Sequence, residues 1–188
     1  MRIGLLGGSF NPAHAGHLHI SLEAMKRLKL DAVWWLVSPQ NPLKETKGMA
    51  NFEKRFYSAQ SMASHPRIIV TNIELTLGTH YSVDTVRELK KRCPKNQFIW
   101  LMGADNLAIL HRWKNWKTLV RLIPFAVLDR APFSHRAQRQ KAALSLRKYR
   151  LKSSDAPILS NHKAPAWVYI LMRRHGAAST DIRKTGKW

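Results

Sequence analysis

The chain has one cysteine, Cys93. That excludes an internal disulfide, a cysteine-rich zinc site and a redox Cys-x-x-Cys pair. A reducing, cytoplasmic setting is expected. Acids are scarce: 11 Asp and Glu stand against 32 Lys and Arg, a net charge of +21. So basic a chain attracts polyanions without any dedicated site. Nucleic acid and a small phosphorylated substrate are the two partner classes the charge admits. Long apolar runs are also lacking. Stretches such as 32–37 fall far short of the ~20 residues that span a bilayer, and no membrane association is expected. The opening Met1-Arg2-Ile3-Gly4-Leu5-Leu6 has neither the long apolar block nor the cleavage site of a signal peptide. No internal repeat is visible.

What is present suffices for a core. Hydrophobic residues make up 45% of the 188, which excludes a mainly disordered chain. One domain over 1–188 is expected. Apolar strand-like runs alternate with helical patterns. Residues 2–6, 32–37, 67–70, 97–102, 125–128 and 166–171 read as strands. Residues 16–30, 51–64, 82–92 and 116–122 read as helices, the first with Leu18, Leu22, Met25 and Leu28 at helical spacing. Residues 38–50 read as a loop. Such alternation predicts an α/β fold around a parallel sheet with right-handed crossovers. Residues 130–152 are rich in Lys and Arg and hold no acid. They predict a basic helix, with Ala142, Ala143, Leu146 and Tyr149 as a narrow apolar face. That segment is either a solvated surface or an electrostatic patch.

The strongest local signal is Gly7-Gly8-Ser9-Phe10-Asn11-Pro12-Ala13-His14-Ala15-Gly16-His17, set between the first strand and the first helix. Ligands bind at the carboxyl ends of strands in such sheets. Gly7 and Gly8 are expected to let the backbone turn tightly and approach an anion. The helix start adds partial positive charge. His14 and His17, three apart, share a face there, and imidazoles donate to phosphate oxygens. No third ligand suggests a metal site.

Gly8-Ser9-Phe10 with His14-Ala15-Gly16-His17 resembles the first signature of the nucleotidyltransferase superfamily, and Ser179-Thr180-Asp181-Ile182-Arg183 resembles its second. The two lie about 160 residues apart. Three middle segments resemble the nicotinate-nucleotide adenylyltransferases within it. They are the loop from Ser38 to Lys44, Thr79-His80-Tyr81-Ser82-Val83-Asp84-Thr85, and Gly103-Ala104-Asp105-Asn106-Leu107 followed by Trp113-Lys114-Asn115-Trp116. One position departs: Asn11 stands where the family usually has Asp. Family members also usually continue for a helix or two beyond the second signature, so a cap over the ATP site, or part of an oligomer surface, is expected to be missing.

The resemblance implies a Rossmann-like, doubly wound parallel sheet with helices on both faces. It implies transfer of AMP from ATP to nicotinate mononucleotide, with Mg²⁺ bound mainly through the ATP phosphates. His14, His17 and Arg183 are the implied catalytic residues. The implied ATP site adds Gly7, Gly8, Ser9, Phe10, Gly103, Asp105, Ser179, Thr180 and Ile182. For nicotinate mononucleotide it implies Lys44 on the phosphate, Trp113 stacked on the pyridine ring, and Ser82 with the Lys114 N–H on the ring carboxylate. Ser82 and Asp105 could instead be helix caps, and Asp84 and Thr85 read as structural. Two alternatives stay open. One is another adenylyltransferase, acting on nicotinamide mononucleotide or phosphopantetheine. The other is a basic protein that binds nucleic acid without catalysis, although no nucleic-acid-binding motif accompanies the charge.

Overall fold

A computed structural model describes residues 1–39, 48–129, 134–172, 176–177 and 179–184. Lys44 and the rest of 40–47 lie outside the described residues, as do 130–133. Among the described residues seven strands form one sheet: β1 (Arg2–Gly8), β2 (Ala32–Val37), β3 (Ile68–Thr71), β4 (Gln97–Gly103), β5 (Phe125–Leu128), β6 (Arg150–Leu151) and β7 (Trp167–Ile170). Their order is β3-β2-β1-β4-β5-β7-β6, and every neighbouring pair is parallel. The winding reverses between β1 and β4. That is the switch point at which such sheets bind ligands.

Both faces are covered, so the strands are apolar on both sides. Leu5, Phe98, Trp100, Phe125 and Trp167 enter one core; Leu6, Val33, Trp35, Ile99, Leu101 and Val168 enter the other. On the Trp35 face lie α1 (Ala15–Leu28), α2 (Phe52–Met62) and a 3-10 stretch over Ser153–Asn161. On the Trp100 face lie α3 (Ile73–Leu77), α4 (Ser82–Arg92), α5 (Ala104–Ile109) and α6 (Trp116–Leu122). Asn51 caps α2 by accepting from the Lys54 N–H at 2.9 Å. The last described helix is α9 (Ser179–Lys184), after α7 (Ser134–Gln138) and α8 (Lys141–Ser145). No helix among the described residues is long and apolar enough to cross a membrane.

Three expectations shift. The first helix buries Ile20, Ala24, Met25 and Leu28, while Leu22 faces outward. Gly7 and Gly8 do not turn: they continue β1 and pair with Leu36 and Val37. The turn falls to Phe10, a non-glycine residue at φ 47°. The basic segment is not one helix. Its described part holds α7, α8, a 3-10 turn over Arg147–Tyr149 and the edge strand β6. Gln140, extended at ψ 160°, breaks α7 from α8. Arg150 leaves helical geometry to lie over the Trp167 and Tyr169 rings at 5.3 and 5.6 Å and to donate to Gln138. Ala142, Ala143 and Leu146 are buried, as the narrow apolar face anticipates.

Candidate active site

The loop after β1 is built on aromatic packing. The Phe10 ring stacks on Trp35 at 5.1 Å and meets the His17 ring at 4.8 Å. A Cβ on Gly8 would reach the Phe10 ring at 3.3 Å, and one on Gly7 the Trp100 ring at 3.1 Å. The glycines therefore serve close approach rather than a turn. The energetic cost of the left-handed Phe10 is offset by burial of its whole ring, 1% exposed.

His14 is the residue that caps α1. Its Nδ1 accepts from the Gly16 N–H at 3.1 Å, and the Nδ1 of His17 accepts from the His14 N–H at 3.2 Å. Both imidazoles thus accept at Nδ1, which places the ring proton of the neutral form on Nε2 as a donor. Their centroids are 4.0 Å apart. A Cβ on Gly16 would fall 2.8 Å from the His14 ring, so glycine leaves room for that cap. Behind His17, Trp35 donates to Ser21 Oγ at 2.7 Å and Ser21 donates to the His17 carbonyl at 2.8 Å.

The second signature meets the first. Ser179 Oγ donates to the Pro12 carbonyl at 2.9 Å, and Arg183 donates to the Asn11 carbonyl at 2.5 Å and to Thr180 Oγ1 at 3.3 Å. Ile182 is half-buried in the same helix. Gly103 ends β4 and is the cap position of α5, so Asp105 is its second residue and not its cap. The buried Ser9 gives its carbonyl to Arg55 at 2.7 Å.

On the other face, Ser82 is the first residue of α4; the cap position belongs to Tyr81. Lys114 is exposed, with its ammonium over the Tyr81 ring at 5.1 Å. Trp113 is half-buried and sits edge-on to Trp100 at 6.1 Å. Beneath α4 lies a residue that sequence reasoning missed. Glu74 is buried, and burial pushes its carboxyl up to about 7, against the opposing pull of hydrogen bonds from Ser38 and Thr85. Thr85, wholly buried, lies 2.8 Å from Thr79 Oγ1 and 3.4 Å from Glu74, so its structural reading holds. Asp84 pairs at the surface with Arg87.

Asn11 also gains a reason. Its amide donates to the Gly48 carbonyl at 3.2 Å and accepts from the Ala50 N–H at 3.1 Å. A carboxylate could do only the second. Nothing in the sequence near 48–50 signals that pairing.

A family model described as Cytidylyltransferase-like matches residues 5–185. A protein of Parvibaculum lavamentivorans named "Probable nicotinate-nucleotide adenylyltransferase" is 48% identical over 188 residues, covering 100% of this chain and 94% of its own. One of the same name from Gluconobacter oxydans is 47% identical over 188 residues, covering 100% and 96%. Among solved structures, the Plasmodium falciparum nicotinic acid mononucleotide adenylyltransferase complexed with NaAD has the same fold. It shows a TM-score of 0.71 at 17% identity over 97% of this chain and 82% of that one. With the family model matching almost from end to end and these relatives near half identical, the chain belongs to the cytidylyltransferase-like family and, within it, to the nicotinate-nucleotide adenylyltransferases.

Proposed function

We infer that this chain transfers the adenylyl group of ATP to nicotinate mononucleotide, forming nicotinate adenine dinucleotide and pyrophosphate. The observation that carries the reading is the meeting of the two signatures. Ser179 and Arg183 bond to the backbone of the loop that presents His14 and His17, at the carboxyl end of β1.

An oxygen of the mononucleotide 5′-phosphate attacks the α-phosphorus in line. The bond from that phosphorus to the α–β bridging oxygen breaks, and pyrophosphate leaves with the electron pair. No side chain becomes covalently bound. The chain contributes position and charge neutralisation. His14 and His17 donate from Nε2 to phosphate oxygens, and Arg183 adds a guanidinium with five donors. Gly7, Gly8, Ser9 and Phe10 shape the loop that receives the triphosphate. Gly103 and Asp105 take the ribose side, where a carboxylate accepts from hydroxyls. Trp113 stacks on the pyridine ring, Ser82 and the Lys114 N–H donate to its carboxylate, and Lys44 takes the 5′-phosphate.

This donor set suits anions. Among the described residues no three His, Cys, Asp or Glu side chains converge as a metal site. Mg²⁺, which the family resemblance implies, would enter with the ATP phosphates as part of the substrate and would lower the charge repulsion at the α-phosphorus.

Pyrophosphate release from ATP against a panel of acceptors tests the reading. Nicotinate mononucleotide should exceed nicotinamide mononucleotide and phosphopantetheine by at least about tenfold in kcat/KM. A faster reaction with either of the others would reassign the acceptor. Release with none of them, alongside salt-sensitive binding of RNA, would replace the enzyme by a polyanion-binding protein.

A further inference from the structure

Arg55 is the one Lys or Arg that is buried among the described residues, 1% exposed. No ion pair with a described acid compensates it; burial lowers its affinity for the proton, and the nearby Glu53 carboxylate partly restores it. The guanidinium is held by backbone carbonyls instead. Nη1 donates to Ser9 and to Ser38, each at 2.7 Å, Nη2 donates to Pro39 at 2.8 Å, and Nε donates to Ala50 at 3.0 Å. The Phe52 ring lies 5.5 Å from Cζ.

Those four carbonyls come from three separate parts of the chain. Ser9 is in the loop after β1 that presents the histidines. Ser38 and Pro39 follow β2, and Ala50 precedes α2. Asn11 adds its bonds to Gly48 and Ala50, so Ala50 is held through its carbonyl by Arg55 and through its N–H by Asn11. Ser38 in turn donates to the Gly8 carbonyl at 2.9 Å. In sequence, 38–39 and 48–50 flank the stretch carrying Lys44.

A buried charge without a counter-ion is costly, and apolar packing would fill the same volume at less cost. A lysine could not replace the planar fork, since one ammonium cannot meet four carbonyls set in these directions. What the fork adds is a fixed relation among the three segments. We propose that Arg55 is a positioning residue: it locks the loop that receives the triphosphate to both flanks of the mononucleotide loop, and so sets the alignment of attacking and leaving oxygens. The proposal rests on the adenylyl-transfer reading above.

The test uses the full chain with Arg55→Lys and Arg55→Met. Both should lose roughly 10²-fold in kcat, the cost of a small misplacement of reactants. The Kd for ATP alone should stay near that of the unaltered chain, because His14, His17 and Arg183 keep their own partners. Full kcat in Arg55→Lys would show that charge rather than the fork matters, and would overturn the proposal. Loss of ATP affinity in step with kcat would overturn it as well. Should both variants unfold, amide exchange on the unaltered chain decides. A non-reacting ATP analogue alone should slow exchange at the Ala50 N–H by about tenfold; unchanged exchange would overturn the coupling. Failure of the adenylyl-transfer reading would appear separately, as no pyrophosphate release by the unaltered chain with nicotinate mononucleotide.

Discussion

The candidate site has two halves, which we assign to the triphosphate and to the mononucleotide, and they are built differently. On the triphosphate side, backbone bonds fix the side chains. His14 and His17 each accept a main-chain N–H at Nδ1, while Ser179 and Arg183 donate to main-chain carbonyls. The rings of Phe10, His17 and Trp35 pack together behind them. On the mononucleotide side, Ser82 and Trp113 are half-buried, Lys114 is exposed, and the contacts of Trp113 and Lys114 are aromatic edges and faces. The first half is organised before substrate arrives. The second is a surface placed by the core beneath it. Preorganised donors act on the transition state, whereas a stacking surface acts on binding. Substitutions should therefore separate into kcat effects on one side and KM effects on the other.

The largest expected effect is on the first side. His17→Ala should lower kcat by roughly 10²- to 10³-fold, as for loss of one donor to a developing negative charge. Its KM for nicotinate mononucleotide should change little. Initial rates of pyrophosphate release check both, and near-normal kcat in the folded variant would remove the histidine from the chemistry.

The next concerns what supports the second side. Glu74 titrates near 7 when folded and at an ordinary 4.5 when unfolded. Between those values the folded state binds more protons, so the contribution of Glu74 to stability is full below 4.5 and is lost as pH rises through 7. The span is on the order of 3 kcal/mol. Glu74→Gln should erase it, so the variant gains on the unaltered chain as pH rises through that window. Urea unfolding at several pH values measures the difference, and a constant gap would mean an ordinary carboxyl.

The smallest effect is expected at Trp113. Trp113→Ala should raise KM for nicotinate mononucleotide by about tenfold, the worth of one stacked ring, with KM for ATP unaffected. Equal rises for both substrates would dissolve the contrast between the halves.

Much of this was legible one segment at a time. The alternation of apolar runs predicts the six longer strands, because strands buried on both faces leave an unmistakable apolar block. The strand–loop–helix context marks His14 and His17. The helical patterns over 51–64, 82–92 and 116–122 place α2, α4 and α6 within a few residues. The basic stretch misleads because local propensity favours a helix there, while Gln140 is extended and Arg150 answers to the Trp167 and Tyr169 rings. Glu74 and Arg55 are hidden for a related reason. Arg55 lies in a helix that the pattern anticipates and Glu74 in a five-residue one that it does not, and burial of a charged side chain has no periodic signature.

By itself, the sequence determined the class of fold, the loop with its paired imidazoles and the segments carrying Ser82 and Trp113, which we propose meet a pyridine ring, because each depends on neighbours a few residues away. The tertiary structure decided that Gly7 and Gly8 make room for rings rather than a turn. It also decided that Arg183 closes on Asn11 from across the chain and that Arg55 gathers three loops. Those outcomes depend on contacts between distant segments, and only the packing of the whole sheet brings such segments within hydrogen-bond reach.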